Sequence, residues 1–203
     1  LNKEMINMGT MIEKSIGDAV KALMKQDVEL AQKVMAGDEE IDRTERKIED
    51  LCLRLLLQQQ PVARDLRNIS AALKMVTDME RIGDHATDIS ELAIVLSEKT
   101  YVKKLDHIEE MARETMVMLI QSLEAYVEKD LDKAQKVIAH DDVIDDLFEE
   151  VKQELIELIR NHADEGEQAV DLLMVTKYFE RIGDHATNIA EWVIFSITGQ
   201  IAG

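Results

Sequence analysis

The chain repeats itself. Glu80-Arg81-Ile82-Gly83-Asp84-His85-Ala86-Thr87-Asp88-Ile89 returns as Glu180-Arg181-Ile182-Gly183-Asp184-His185-Ala186-Thr187-Asn188-Ile189, with nine of ten positions identical at an offset of 100. Upstream, Ala31-Gln32-Lys33-Val34 returns as Ala134-Gln135-Lys136-Val137 at an offset of 103. The same offset pairs Asp38 with Asp141, Ile41 with Ile144 and Asp42 with Asp145. A repeat of this length means a duplicated supersecondary unit, so whatever one half folds into, the other must match. The halves are residues 1–100 and 104–203.

Apolar spacing identifies the unit. Met5, Met8, Ile12, Ile16, Ala19 and Leu23 step by three and four, as do Ile41, Thr44, Ile48, Leu51 and Leu55, which places each set on one face of a helix. One proline in 203 residues leaves few forced breaks, and no stretch alternates with period two long enough for a strand. After a first helix carrying the Met5–Leu23 stripe, helices are expected over 27–58, 63–98, 105–128, 130–161 and 167–198. Gln58-Gln59-Gln60 before Pro61 and Ala163–Gly166 serve as turns. The expectation is an all-α fold, two tandem antiparallel three-helix bundles joined near Lys99–Lys104.

Composition narrows the function. Against 24 basic side chains stand 42 acidic ones, a formal charge of −18, which repels nucleic acid and anionic lipid and favours cations or basic protein faces. Apolar runs such as Trp192–Phe195 fall far short of a membrane span of ~20 residues, so no membrane insertion is expected. Cys52 has no partner, which suits a reducing cytoplasm. No basic apolar leader opens the chain, so neither secretion nor targeting is expected. No His-Glu-x-x-His, phosphate loop or Gly-x-Ser-x-Gly elbow occurs, nor is there a Glu-x-x-His pair at the acidic sites, and no enzyme is expected.

The acidic residues are patterned. Asp38/Asp42, Glu80/Asp84, Asp141/Asp145 and Glu180/Asp184 are i,i+4 pairs, each presenting both side chains on one helix face about 6 Å apart along the axis. Like charges so placed cost a few tenths of a kcal/mol per pair. All four pairs lie about 20 residues from their turns, or ~30 Å at 1.5 Å per residue, so within each bundle they are level on neighbouring helices. Four convergent carboxylates per bundle suit a divalent or trivalent ion or a small cluster.

Gly83 and Gly183 sit between the two acids of a pair, at a helix cost of ~1 kcal/mol, leaving room for a neighbouring helix or a hydrated ion. His85 and His185 are candidate ligands or outer partners, and Asp88 and Asn188 offer oxygens one turn on. Glu45 extends the row, but its counterpart is Phe148. Arg43, Arg81 and Arg181 are available for ordinary ion pairs. His107, His140 and His162 do not recur and are read as surface residues, the methionines as core filler, Cys52 as a buried small side chain, and the Trp192–Ile197 end as core or dimer packing.

The doubled Glu-Arg-Ile-Gly-Asp-His-Ala-Thr-(Asp/Asn)-Ile, with an upstream acid-x-x-x-Asp pair in each half, resembles the PhoU family of phosphate-uptake regulators over essentially the whole length. That resemblance implies metal clusters held through Asp38, Asp42, Glu80, Asp84, Asp141, Asp145, Glu180 and Asp184. Iron or zinc is implied first, with magnesium or manganese admitted by ligand chemistry. It further implies a cytoplasmic homodimer acting as a negative regulator of the phosphate-starvation response, between the ATPase of a phosphate ABC transporter and a sensor histidine kinase. It also implies that part of the first helix precedes Leu1. Two other readings stay open: an acidic helical scaffold without metal, and a multinuclear metal hydrolase or oxidase.

Overall fold

In the computed structural model of the protein, six α-helices follow one another: α1 (Asn2–Lys25), α2 (Val28–Gln58), α3 (Ala63–Leu96), α4 (Asp106–Glu128), α5 (Leu131–Asn161) and α6 (Gly166–Thr198). The structure describes residues 1–58 and 60–201; Gln59 of the expected first turn and the last two residues of the second half lie outside them. No strand occurs among the described residues. The first three helices pack on one another, as do the last three, giving two three-helix bundles. The bundles meet through α3 against α6, the most extensive contact in the molecule, and through α1 against α4. The outer helices α2 and α5 do not touch. Among the described residues, no helix is long and apolar enough to cross a membrane.

The helix faces follow the sequence stripes. Met5, Met8, Ile12, Ile16 and Ala19 are buried on α1, and their counterparts 103 residues on, Ile108, Met111, Thr115, Leu119 and Ser122, are buried on α4. The α1–α2 and α4–α5 corners are also duplicates. Gln26 and Lys129 each end a helix with a left-handed backbone, φ 54° and 57°, and the following Asp27 and Asp130 accept hydrogen bonds from Leu30 N and Lys133 N at 3.0 and 2.9 Å. Each carboxylate thereby satisfies an otherwise unpaired amide of the next helix's first turn.

Two boundaries depart from the sequence reading. Helix α3 stops at Leu96 rather than 98, because Gln26 Nε2 donates to the Leu96 and Lys99 carbonyls at 2.7 and 2.6 Å and draws the chain out of helical register. The 163–166 turn is a 3₁₀ turn over Ala163–Glu165, running directly into α6. The linker between bundles is pinned as well: Tyr101 donates to the Leu23 carbonyl at 2.6 Å, and Gln168 receives Val102 N at 3.0 Å.

Candidate metal centres

The acidic pairs lie where α2 faces α3 and where α5 faces α6. In the first bundle Asp38 and Asp42 from α2 and Asp84 from α3 each bring an oxygen within 4.8 Å of the others. Glu80, one turn before Asp84, is close enough for Asp84, Glu45 and Asp42 all to disfavour its ionisation; with burial as the largest cause, its pKa is pushed up to about 7. Burial and the charges of Asp84 and Asp42 push Asp38 upward too. Glu45, half-buried beside Glu49 and Asp42, is shifted in the same direction. It therefore belongs to this acidic face, whatever its counterpart in the other half.

In the second bundle burial and the neighbouring Asp145, Asp184 and Glu180 raise the pKa of Asp141. Asp184 rises through burial and Glu180, and Asp145 through a smaller burial and Glu180. Seven of the eight candidate ligands are half-buried; Asp145 is exposed. Among the described residues, the close three-way convergence occurs in the first bundle.

The two acidic faces also differ at two positions. Phe148 replaces Glu45, and Lys177 replaces Thr77. Lys177 lies 5.3 Å from the Phe148 ring and donates to Glu180, so the second bundle carries a cation of its own and one carboxylate fewer. In the first bundle Arg81 pairs with Asp84 at 2.6 Å and Arg46 with Asp42 at 3.7 Å, both from half or more exposed positions. Arg43 instead donates to the Glu39 carbonyl.

Orphaned oxygens test whether these residues fit a cation. Asp42 Oδ1 and Asp141 Oδ1 are buried with no hydrogen-bond partner, as is the Thr187 hydroxyl; Asp38 Oδ1 and the Thr87 hydroxyl make no well-formed hydrogen bond either, although Thr87 lies near enough to Asp38 to favour its ionised form. A buried carboxylate oxygen without a donor is costly, and the same position is orphaned in both bundles. The donor set is all oxygen and mostly anionic, which a hard or borderline ion would satisfy. Thr87 and Thr187 went unnoticed as candidates because a hydroxyl adds no charge to a pattern. Their place in both copies of the repeat, three residues after Asp84 and Asp184, was the available signal.

The glycines are explained by helix approach. A Cβ on Gly83 would lie 3.2 Å from two carbons of Ile41, and one on Gly183 3.5 Å from Ile144. Gly183→Ala therefore meets ordinary contacts and is expected to gain up to about 1 kcal/mol of helix propensity. Gly83→Ala is expected to gain less, because Ile41 must give way. Paired denaturant melts of the two variants read this difference; equal gains would contradict it.

The histidines turn to the α3–α6 seam and to carboxylates outside the i,i+4 pairs. His85 Nδ1 lies 3.2 Å from Asp88, His185 Nδ1 lies 2.8 Å from Asp78, and the rings are 5.6 Å apart across the α3–α6 seam. Asn188 also donates to Asp78, at 3.0 Å. Burial lowers the pKa of His85. Asp78 has Tyr178 as its counterpart, stacked 5.6 Å from His85. Of the histidines read as surface groups, His107 and His140 are half-buried and paired with Glu154 and Glu114, while His162 is exposed. Cys52 is buried, its thiol pushed up to about 11 by desolvation.

Known proteins share this arrangement. The PhoU domain profile matches residues 5–93 and again 108–193. A phosphate-specific transport system accessory protein PhoU homolog from Clostridium acetobutylicum is 41% identical over 201 residues, covering 98% of this chain and 92% of its own length. PhoU homolog 1 from Thermotoga maritima is 32% identical, covering 98% and 87%. The crystal structure of PhoU from Pseudomonas aeruginosa superposes with a TM-score of 0.94 at 34% identity, over 98% of this chain and 95% of that one. That of the phosphate transport system regulatory protein PhoU from Streptococcus pneumoniae gives 0.91 at 25% identity, over 99% and 95%.

Proposed function

This chain belongs to the PhoU family, and from that premise we propose that it is a metal-binding negative regulator of phosphate uptake. On this reading it works in the cytoplasm as a homodimer. It couples the ATPase of a phosphate ABC transporter to a sensor histidine kinase and holds the kinase in its signalling-off state while phosphate is plentiful. The relatives are named as accessory proteins of phosphate-specific transport, so the chain is an accessory protein of that kind rather than an enzyme, and the hydrolase or oxidase alternative is set aside.

The observation that carries the metal part is the convergence of Asp38, Asp42 and Asp84 with two of their oxygens buried and unpartnered. Asp38, Asp42, Glu80 and Asp84 would hold the ion or cluster in the first bundle, and Asp141, Asp145, Glu180 and Asp184 in the second. Iron or zinc, with magnesium or manganese as further fits, would supply positive charge and open coordination positions for a carboxylate or phosphate group. The protein's own part is positional. Ile41 against Gly83 and Ile144 against Gly183 hold each pair of helices close. Burial keeps the carboxylates poorly hydrated, so they favour a cation over water.

The test is made in cells deleted for their own copy and carrying a phosphate-starvation reporter. Glu80→Ala with Asp84→Ala should strip metal from the first bundle, measured by elemental analysis, and switch the reporter on in phosphate-rich medium. Metal content and repression both unchanged would favour the acidic scaffold instead.

A further inference from the structure

The face formed by α1 and α4, away from the acidic pairs, has opposite charge at its two ends. At one end the first half of α1 and the last half of α4 enclose an apolar groove of about 260 Å³ lined by Ile6, Leu123 and Val127 among others, with Glu13, Glu124 and Glu128 at its rim. Ile6 and Val127 are 48% and 41% exposed. Lys133 holds Glu124 and Glu128 at 3.0 and 2.7 Å, so three glutamates against one lysine leave this end net acidic. The offset of 103 carries Glu124 back to Lys21, Glu128 to Lys25, Thr10 forward to Arg113 and Glu13 to Met116. The other end of the same face therefore presents Lys21, Lys25 and Arg113, all exposed, against Asp106 and Glu109 in the first turn of α4, and stays net basic. The duplicated halves keep their buried stripes but have reversed their surface charge here.

A face whose two ends are exchanged by the internal twofold, yet carry opposite charge, is complementary to itself. Turning a second copy by 180° about an axis lying in the face, across the helices, sets each acidic end on a basic end twice over. We propose that this α1–α4 face is where two copies of the chain pair, an isologous interface in which Lys21, Lys25 and Arg113 of one protomer meet the Glu13, Glu124 and Glu128 rim of the other. The half-buried Met24 and Met116 beside the basic end are adaptable apolar side chains suited to the partner's groove. The charge of −18 on each copy does not oppose this strongly, since charges farther apart than ~8 Å are screened at physiological salt. The inference rests on the homodimer of the preceding reading and adds the face and the pairing rule.

Sedimentation velocity over a concentration series, in low and high salt, tests it. Glu124→Lys with Glu128→Lys makes both ends basic; Lys21→Glu with Lys25→Glu makes both acidic. Each double variant, folded by circular dichroism, should dimerise at least about tenfold more weakly than the parent. An equimolar mixture of the two should recover a dimer, since an all-basic face meets an all-acidic one. A parent that stays monomeric throughout would overturn both the homodimer and the face. Variants that dimerise as the parent does would overturn the face and leave the homodimer standing. Variants that separate and fail to recover on mixing would overturn the charge pairing.

Discussion

Treating the purified protein with a chelator at pH 8 is expected to lower its thermal midpoint by about 5–10 °C. An ion present at a hundred times its dissociation constant stabilises by about 2.7 kcal/mol, and for a chain of this size each kcal/mol moves the midpoint by about 2–4 °C. Asp38→Asn or Asp84→Asn should remove most of that difference, because the three-way convergence needs both helices. Asp145→Asn should remove little, as Asp145 is exposed and Lys177 already pairs with Glu180 in the second bundle. Acidity should close the gap from both sides. Glu80 has a folded pKa of about 7 against an ordinary 4.5, so the metal-free fold is favoured by its proton below pH 4.5 and loses that contribution as pH rises toward 7. Metal, by contrast, needs the carboxylates ionised. The chelator effect should therefore be small at pH 5.5 and full at pH 8. A protein without bound metal by elemental analysis, and with no shift at pH 8, would remove the metal centre from the proposal.

Phe179→Ala should be the most damaging single substitution in the core. Phe179 is fully buried on α6, and α6 packs against α3, α4 and α5. Truncating such a ring costs ~3–5 kcal/mol, transfer and cavity together, or about 6–20 °C for a chain of this size. Its counterpart Met79 is equally buried on α3, and Met79→Ala should cost ~2–5 kcal/mol. Leu57→Ala, at 82% exposure, should stay within about 0.5 kcal/mol. Calorimetry on the three variants gives the ranking, and a Phe179 variant melting with the Leu57 variant would contradict the burial argument.

The helices were legible because their information is local: stripes such as Met5–Met8–Ile12–Ile16 state their own period, and duplication states it twice. What escaped was set by distant residues. The end of α3 depends on Gln26, seventy positions earlier. An i,i+4 pair reveals that Asp141 and Asp145 share a face but not how that face is rotated, so burial of one and exposure of the other appeared only with α6 in place. The Thr77/Lys177 exchange was visible at the offset of 100, yet its meaning needed Phe148 beneath it. His85 and His185 follow the acids in sequence, but an α3–α6 crossing that no local pattern encodes sends their Nδ1 atoms to Asp88 and Asp78.

That crossing leaves a lasting trace of direction in a molecule built from two copies of one part. On one flank of the seam stand a carboxylate, an imidazole and an amide, Asp78, His185 and Asn188; on the other a phenol, an imidazole and a carboxylate, Tyr178, His85 and Asp88. Anything laid across the midline would find left and right chemically distinct, so the doubled architecture has a head and a tail.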